Sequence, residues 1–412
     1  MLYHQLHECL RSRFSLAPDL ILLPETDQVV RVLPFESDTS ELPDIPAGGG
    51  LHPREGESDD DAADRALSDS VALVRDAEIA QNGSFRLPVI APAASLAGGA
   101  RDARGVLVLL HGLNERGWEK YLPWASELCR GTGKPVVLFP IAFHVNRSPA
   151  SWNDTRLMRR VSRARKLAFP DLLNSSVSNA AISARLTADP SRFLWAGLET
   201  LRDLRVLAFR IRGGRLPGIA ADAAIDLFTY SIGTLLAEIL LCADEGGLFA
   251  DSRAVAFCGG PVLDRLYPSS KFILDSEAAI RLRSFFLEHL ESRLRADPRL
   301  RARLAGEHGE EGRWCRAFLD SRLDMPLREG RLRQLAPRLY AVPLAGDEVV
   351  PPYEVLNTLL GARRDIPVPV DFLETGYPCR HEDPFPPAAG RHAEAVDACF
   401  RKVFARFCEF LG

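Results

Sequence analysis

The chain has 412 residues, of which 46% are apolar and 26% charged, with a net charge of −4 at pH 7. That length exceeds what one compact core usually holds, so it implies one large domain carrying insertions, or two domains. No apolar run approaches the roughly 18 residues that suggest a membrane span, nothing in the charge pattern suggests a nucleic-acid footprint, and eight scattered cysteines without a C-x-x-C pair argue against both a zinc site and disulfides.

The first ten residues lack the basic start, apolar region and small-residue cleavage site of a secretory signal, so a cytoplasmic protein is expected. Residues 1–104 read as an N-terminal extension. Its first 35 residues hold short apolar stretches, Leu20-Ile21-Leu22-Leu23 and Val29-Val30-Arg31-Val32-Leu33, fit for an initial helix and one or two strands. Residues 36–66 follow with ten acidic and two basic side chains. That composition cannot bury enough apolar surface to offset its ordering entropy and predicts a flexible loop, a regulatory acidic tail being the functional alternative.

From Gly105 onward, strands alternate with helices, the pattern of a parallel sheet covered on both faces. Val106 to Leu110 is a continuous apolar strand. Residues 118–129 have helical spacing, and 135–140 form the next strand. Residues 150–190, rich in Arg, Ser and Asn, read as an insertion. A helix over about 193–211 leads to the strand at Ile225-Asp226-Leu227-Phe228, and strands recur at 254–258, 339–344 and 368–373. Residues 264–337, full of Arg-Leu repeats, form a second insertion. The two insertions suit a helical cap over the carboxyl edge of the sheet, or a solvated helical hairpin. Residues 389–411 form one amphipathic closing helix.

Thr229-Tyr230-Ser231-Ile232-Gly233 lies between a buried strand and the helix-forming run 234–241. A serine on such a turn is a nucleophile elbow, which lifts a hydroxyl above a sheet; a helix-capping serine is the alternative. The usual pattern carries glycine two residues before the serine, and Thr229 departs from it, so a β-branched side chain must be accommodated there by a small partner, and either the elbow opens slightly or activity is reduced. Acyl transfer through serine also needs a base, a carboxylate to orient it, and donors for the oxyanion. After the last strand only two histidines remain: His381, in a loop immediately following it, and His392, in the closing helix. Position favours His381. Asp347 sits at the carboxyl end of the strand from Leu339, with Glu348 and Asp264 as rivals and a turn-initiating role as its alternative. Gly112 permits a tight turn after the 106–110 strand, so that the amides of Leu113 and Ile232 can supply two oxyanion donors. His111 reads as a structural hydrogen-bonding residue. His144, Asn146 and Arg147 follow the 135–140 strand over the same edge, where open parallel sheets bind ligands. Arg147 is a candidate to hold an acidic substrate group, with Asn114 and Glu115 on the opposite wall; a surface salt bridge is the other reading.

The order His-Gly, strand-Ser-helix, Gly-Asp, loop His resembles the α/β-hydrolase superfamily, whose triad runs Ser, Asp or Glu, His along the chain. The resemblance covers residues 105–412, the expected catalytic domain, and is similar to an uncharacterised branch that implies no substrate. It implies a mostly parallel sheet flanked by helices with cap insertions, Ser231 as nucleophile, His381 as base, Asp347 as orienting acid and Leu113 and Ile232 as oxyanion donors. The expected reaction is hydrolysis of a small-molecule carboxylic ester, amide or thioester, with no metal or organic cofactor. A non-catalytic binding protein and an acyltransferase using the same triad are the alternatives.

Overall fold

The computed structural model of the chain describes residues 1–42, 50–96, 102–244, 247–306 and 310–412. Among the described residues, eight strands form one sheet: β1 (Leu20–Leu23), β2 (Gln28–Glu36), β3 (Ser84–Pro92), β4 (Ala103–Leu110), β5 (Val136–Phe139), β6 (Ile219–Tyr230), β7 (Ala254–Phe257) and β8 (Leu339–Val342). Their spatial order is β1-β2-β3-β5-β4-β6-β7-β8. The first three pair antiparallel, β3 meets β5 antiparallel, and β5, β4, β6, β7 and β8 run parallel. This is a mostly parallel sheet flanked by helices, with the swapped β5-β4 order and a strand-serine-helix turn after β6; it is the α/β-hydrolase fold.

The sheet positions a site because both its faces are covered. Residues alternate sides along a strand, and Val106, Val108 and Leu110 of β4 enter one core while Leu107 and Leu109 enter the other. With both sides buried, β4 has no polar face, which is why its sequence is an unbroken apolar run. The closing helix Ala393–Leu411 lays Phe400, Phe404 and Phe407 on the second face. Residues 368–373, expected as a strand, pair with this edge through the isolated bridges Ala341–Val370 and Leu344–Leu373. Pro367 and Pro369 remove ladder donors there.

Two expectations for the N-terminal region need correction. Residues 1–104 are not appended to a finished sheet, since β1, β2 and β3 come from them. The acidic stretch is only in part a loop, because a helix spans Asp59–Ala72. Ser58 caps it by accepting from the Asp61 amide, and Asp59, Asp60 and Asp61 occupy its first turn, where the positive end of the helix dipole favours carboxylates. Arg163 pairs with Asp61 at 2.6 Å and Arg160 pairs with Asp64, so the counter-charge comes from the 150–190 insertion. Residues 43–49 of the expected loop lie outside the described residues.

Both insertions are helical where described, the first with Thr155–Ala168 and Ala180–Ala188, the second with Ser276–Ser284 and Met325–Leu335 among others. They dock on each other through the buried pair Arg165–Asp275 at 2.7 Å. Both reach the sheet's edge: Asn114, just past β4, donates to the Ser178 carbonyl at 2.9 Å and the Phe272 carbonyl at 2.6 Å.

Candidate active site

Ser231 follows β6 and precedes the helix Ile232–Ala243, with φ 56° and ψ −122°. A non-glycine residue is strained in that region, by about 1–3 kcal/mol, and persists there only when its surroundings enforce it. The enforcement is visible at Gly233, where a Cβ would lie 2.6 Å from the Leu110 carbonyl oxygen and 2.8 Å from that of His111. The helix therefore starts hard against the end of β4, and the serine must take the bend. Thr229 is fully buried at the elbow. Its hydroxyl donates to the Val255 carbonyl at 2.7 Å and meets the Thr234 hydroxyl at 3.0 Å. Thr234 in turn fits because residue 259 is glycine: a Cβ there would come within 2.2 Å of the Thr234 hydroxyl.

Three distant segments meet at the carboxyl edge of the parallel strands. The Ser231 Oγ lies 2.8 Å from Nε2 of His381, and Nδ1 of His381 lies 2.7 Å from Oδ2 of Asp347. The other carboxylate oxygen of Asp347 accepts the backbone amides of Val349 and Val350, both at 2.9 Å. Asp347 and His381 are buried, at 6% and 4% exposure, so neither bond competes with bulk water. The rivals are occupied elsewhere: Asp264 accepts from the amide and hydroxyl of Ser321, and His392 sits at the start of the closing helix beside Arg391. Ile232 is the first residue of its helix, so its N–H has no intrahelical acceptor. Leu113 and Ile232 wall the same cavity.

The remaining expectations fare differently. Arg147 does not face a ligand. It is fully buried and pairs with Glu199 and Asp203, each at 2.9 Å, while its Nε donates to Asn82 at 3.0 Å. The 3-10 turn Val145–Arg147 sets it against Phe85, whose ring centre is 4.4 Å from the guanidinium. Arg147→Ala is therefore expected to leave KM unchanged and to lower unfolding free energy by about 3–5 kcal/mol, because two buried carboxylates lose their cation; urea denaturation beside steady-state kinetics checks both halves. Asn146 is likewise structural, bridging Trp118 and the Arg86 carbonyl. Glu115 borders the site, yet its Oε1 is taken by Lys120 and by the Tyr121 hydroxyl, so it serves as a pin. His144 and Asn114 line a cavity beside Leu113. Burial pushes the His144 imidazole down to about 4, so the ring is neutral at pH 7. His111 is held well below its ordinary value, first by burial, and accepts the Ile141 amide on Nε2 at 3.0 Å.

Sequence reasoning missed the side chains that hold the histidine loop. The Tyr230 hydroxyl donates to the His381 carbonyl, and its ring stacks on the imidazole at 5.6 Å with 17° between planes. Burial holds the phenol well above its usual pKa, so it remains a donor. Lys120 binds Glu115 and also the Glu382 carbonyl at 3.1 Å, linking the loop after β4 to the histidine loop. Tyr121 accepts the Gly112 amide at 3.0 Å. Only Tyr230 had a local signal, its place beside the serine. Tyr230→Phe leaves a buried carbonyl without its donor, and a loss of about 1–3 kcal/mol in stability is expected. A fall in kcat of about 10- to 100-fold is expected with it, because small misplacements of catalytic groups have that effect; an unchanged kcat in the folded variant would show that Tyr230 does not position the imidazole.

Over residues 1–412 the chain matches a family model described as "Family of unknown function (DUF6051)". The chain belongs to that family. No curated protein matches the chain by sequence. Among solved structures, the family member is similar to a carboxyl esterase from the fungus Tuber melanosporum, at 12% identity and TM-score 0.46 over 98% of this chain and 97% of that one. A thermostable esterase from Pseudomonas putida matches at 13% identity and TM-score 0.45 over 88% and 93%, and an esterase from Pyrobaculum calidifontis at 14% and 0.40 over 87% and 97%. Likenesses this distant carry no chemistry to the family. No helix among the described residues is long and apolar enough to cross a membrane.

Proposed function

We propose that this member of the family is a serine hydrolase that cleaves a small-molecule carboxylic ester through an acyl-enzyme on Ser231, needing neither metal nor organic cofactor. The observation that carries the reading is the continuous chain of contacts, Ser231 Oγ to His381 Nε2 at 2.8 Å and His381 Nδ1 to Asp347 Oδ2 at 2.7 Å. A scaffold serine has no need of an imidazole whose far nitrogen is fixed by a buried carboxylate. In the first step Oγ bonds to the carbonyl carbon and its proton passes to Nε2. The amides of Leu113 and Ile232 receive the oxyanion, a contribution of about 10²–10³ in rate per donor. As the tetrahedral adduct collapses, the bond from carbon to the leaving oxygen breaks and that oxygen takes the proton from Nε2. Water, deprotonated by the same nitrogen, then attacks the acyl carbon; as that adduct collapses the bond to Ser231 Oγ breaks, Oγ takes the proton back from Nε2, and the free acid departs.

A fluorophosphonate probe tests the reading by bonding covalently to an activated serine. Labelling of the wild type that disappears in Ser231→Ala supports an enzyme; a folded wild type that stays unlabelled points to a binding protein instead. Product analysis with added alcohols separates hydrolase from acyltransferase.

A further inference from the structure

Two cavities of opposite character adjoin the site. One, of about 220 Å³, has Leu113 and Ile232 in its wall and is otherwise bounded mainly by Phe193, Leu266, Ala279, Ile280, Leu282 and Phe286. The second, of about 560 Å³, has Asp347 and His381 in its wall together with Asn174, Lys271, Arg380 and Glu382. Tyr267 and Ser269 border both, so one short segment of the second insertion divides an apolar chamber from a polar groove.

The chemistry of the reaction assigns the two spaces. A leaving group must collect its proton from Nε2 of the imidazole, so it departs on the side that His381 borders. The acyl chain then extends the other way, past the residues whose amides face the oxyanion. Asp264, at the edge of the apolar chamber, is held by Ser321 and does not make it a cation site. A cavity of about 150 Å³ lined by aliphatic and aromatic side chains admits a six-carbon ring, so the larger space here accepts a chain of roughly six to eight carbons.

We infer that the cavity between Leu113, Ile232 and the Ser276–Ser284 helix is the acyl subsite, and that the substrates are esters of medium-chain aliphatic acids with polar alcohols. The inference rests on the serine-hydrolase reading above. The test measures kcat/KM for 4-nitrophenyl acetate, butyrate, hexanoate, octanoate and dodecanoate, with fluorophosphonate labelling alongside, on wild type, Ala279→Trp and Ile280→Glu. For the wild type, kcat/KM is expected to climb by up to about fourfold per methylene from acetate to hexanoate or octanoate, the ratio that burial of a methylene implies, and to drop at dodecanoate. Ala279→Trp fills the chamber and is expected to bring the ratio of octanoate to acetate kcat/KM down to about one. Ile280→Glu, at an exposed position on the chamber's rim, places a charge along the chain's path without packing demands and is expected to act the same way. Labelling with a flat acyl profile, or variants that lower every ester equally, would overturn the subsite alone. Absence of both labelling and turnover in folded wild type would overturn the hydrolase reading and this inference with it.

Discussion

Ser231→Ala is expected to lower kcat by on the order of 10⁶, because without the hydroxyl no acyl-enzyme forms and what survives is the binding and oxyanion contribution alone. The loss should be of kcat and not of structure. The hydroxyl's partner is the His381 imidazole, and alanine suffers the same unfavourable φ of 56° as serine, so the unfolding free energy should change by less than about 1 kcal/mol. Ser231→Gly provides the internal control. Glycine takes positive φ freely at a cost in chain entropy of about 0.5–1 kcal/mol, against about 1–3 kcal/mol of strain relieved, so this variant should be equally inactive yet melt at the wild-type temperature or above. Steady-state kinetics and thermal melts of the three proteins check the pair of expectations. Turnover persisting in the purified alanine protein at more than a few percent would remove Ser231 from the chemistry.

Asp347→Asn is expected to lower kcat by about 10⁴ with KM nearly unchanged. The geometry says why so small a change in shape has so large an effect. The two backbone amides of Val349 and Val350 point at Oδ1, so an asparagine would keep its carbonyl oxygen there and turn its NH₂ toward Nδ1 of His381. An imidazole facing a donor must present its Nδ1 lone pair and carry its proton on Nε2. That tautomer cannot accept the serine proton. The substitution should therefore leave folding intact, since both amides keep their acceptor, and abolish most of the chemistry. A folded Asp347→Asn protein within tenfold of wild-type kcat would mean that the carboxylate merely closes a turn.

The elements most readable in the sequence are those whose surroundings are uniform. β4 and β7 are buried on both sides, and a run such as Val106 to Leu110 has few other uses. The elbow is readable because a serine, a following glycine and the flanking strand and helix lie within about a dozen residues. Illegible features depend on partners far along the chain. The acidic run at Asp59 to Asp61 resembles a disordered loop until Arg160 and Arg163, about a hundred residues later, neutralise it. Arg147 resembles a ligand-binding residue because Glu199 and Asp203 only come beneath it once the helix Arg192–Arg212 packs. The Tyr230 contact with His381 spans 151 residues, and that of Lys120 with Glu382 spans 262. No local pattern announces either.

The acidic helix Asp59–Ala72 has a consequence for how this chain can be shortened. Its carboxylates face the arginines of Thr155–Ala168, and Arg165 of that same helix grips Asp275 in the second insertion. The acidic helix thus acts, through Thr155–Ala168, as a doorstop for the second insertion, part of which walls the cavities beside Ile232 and His381. Trimming it as dispensable is expected to loosen those walls while Ser231, Asp347 and His381 all remain in the chain.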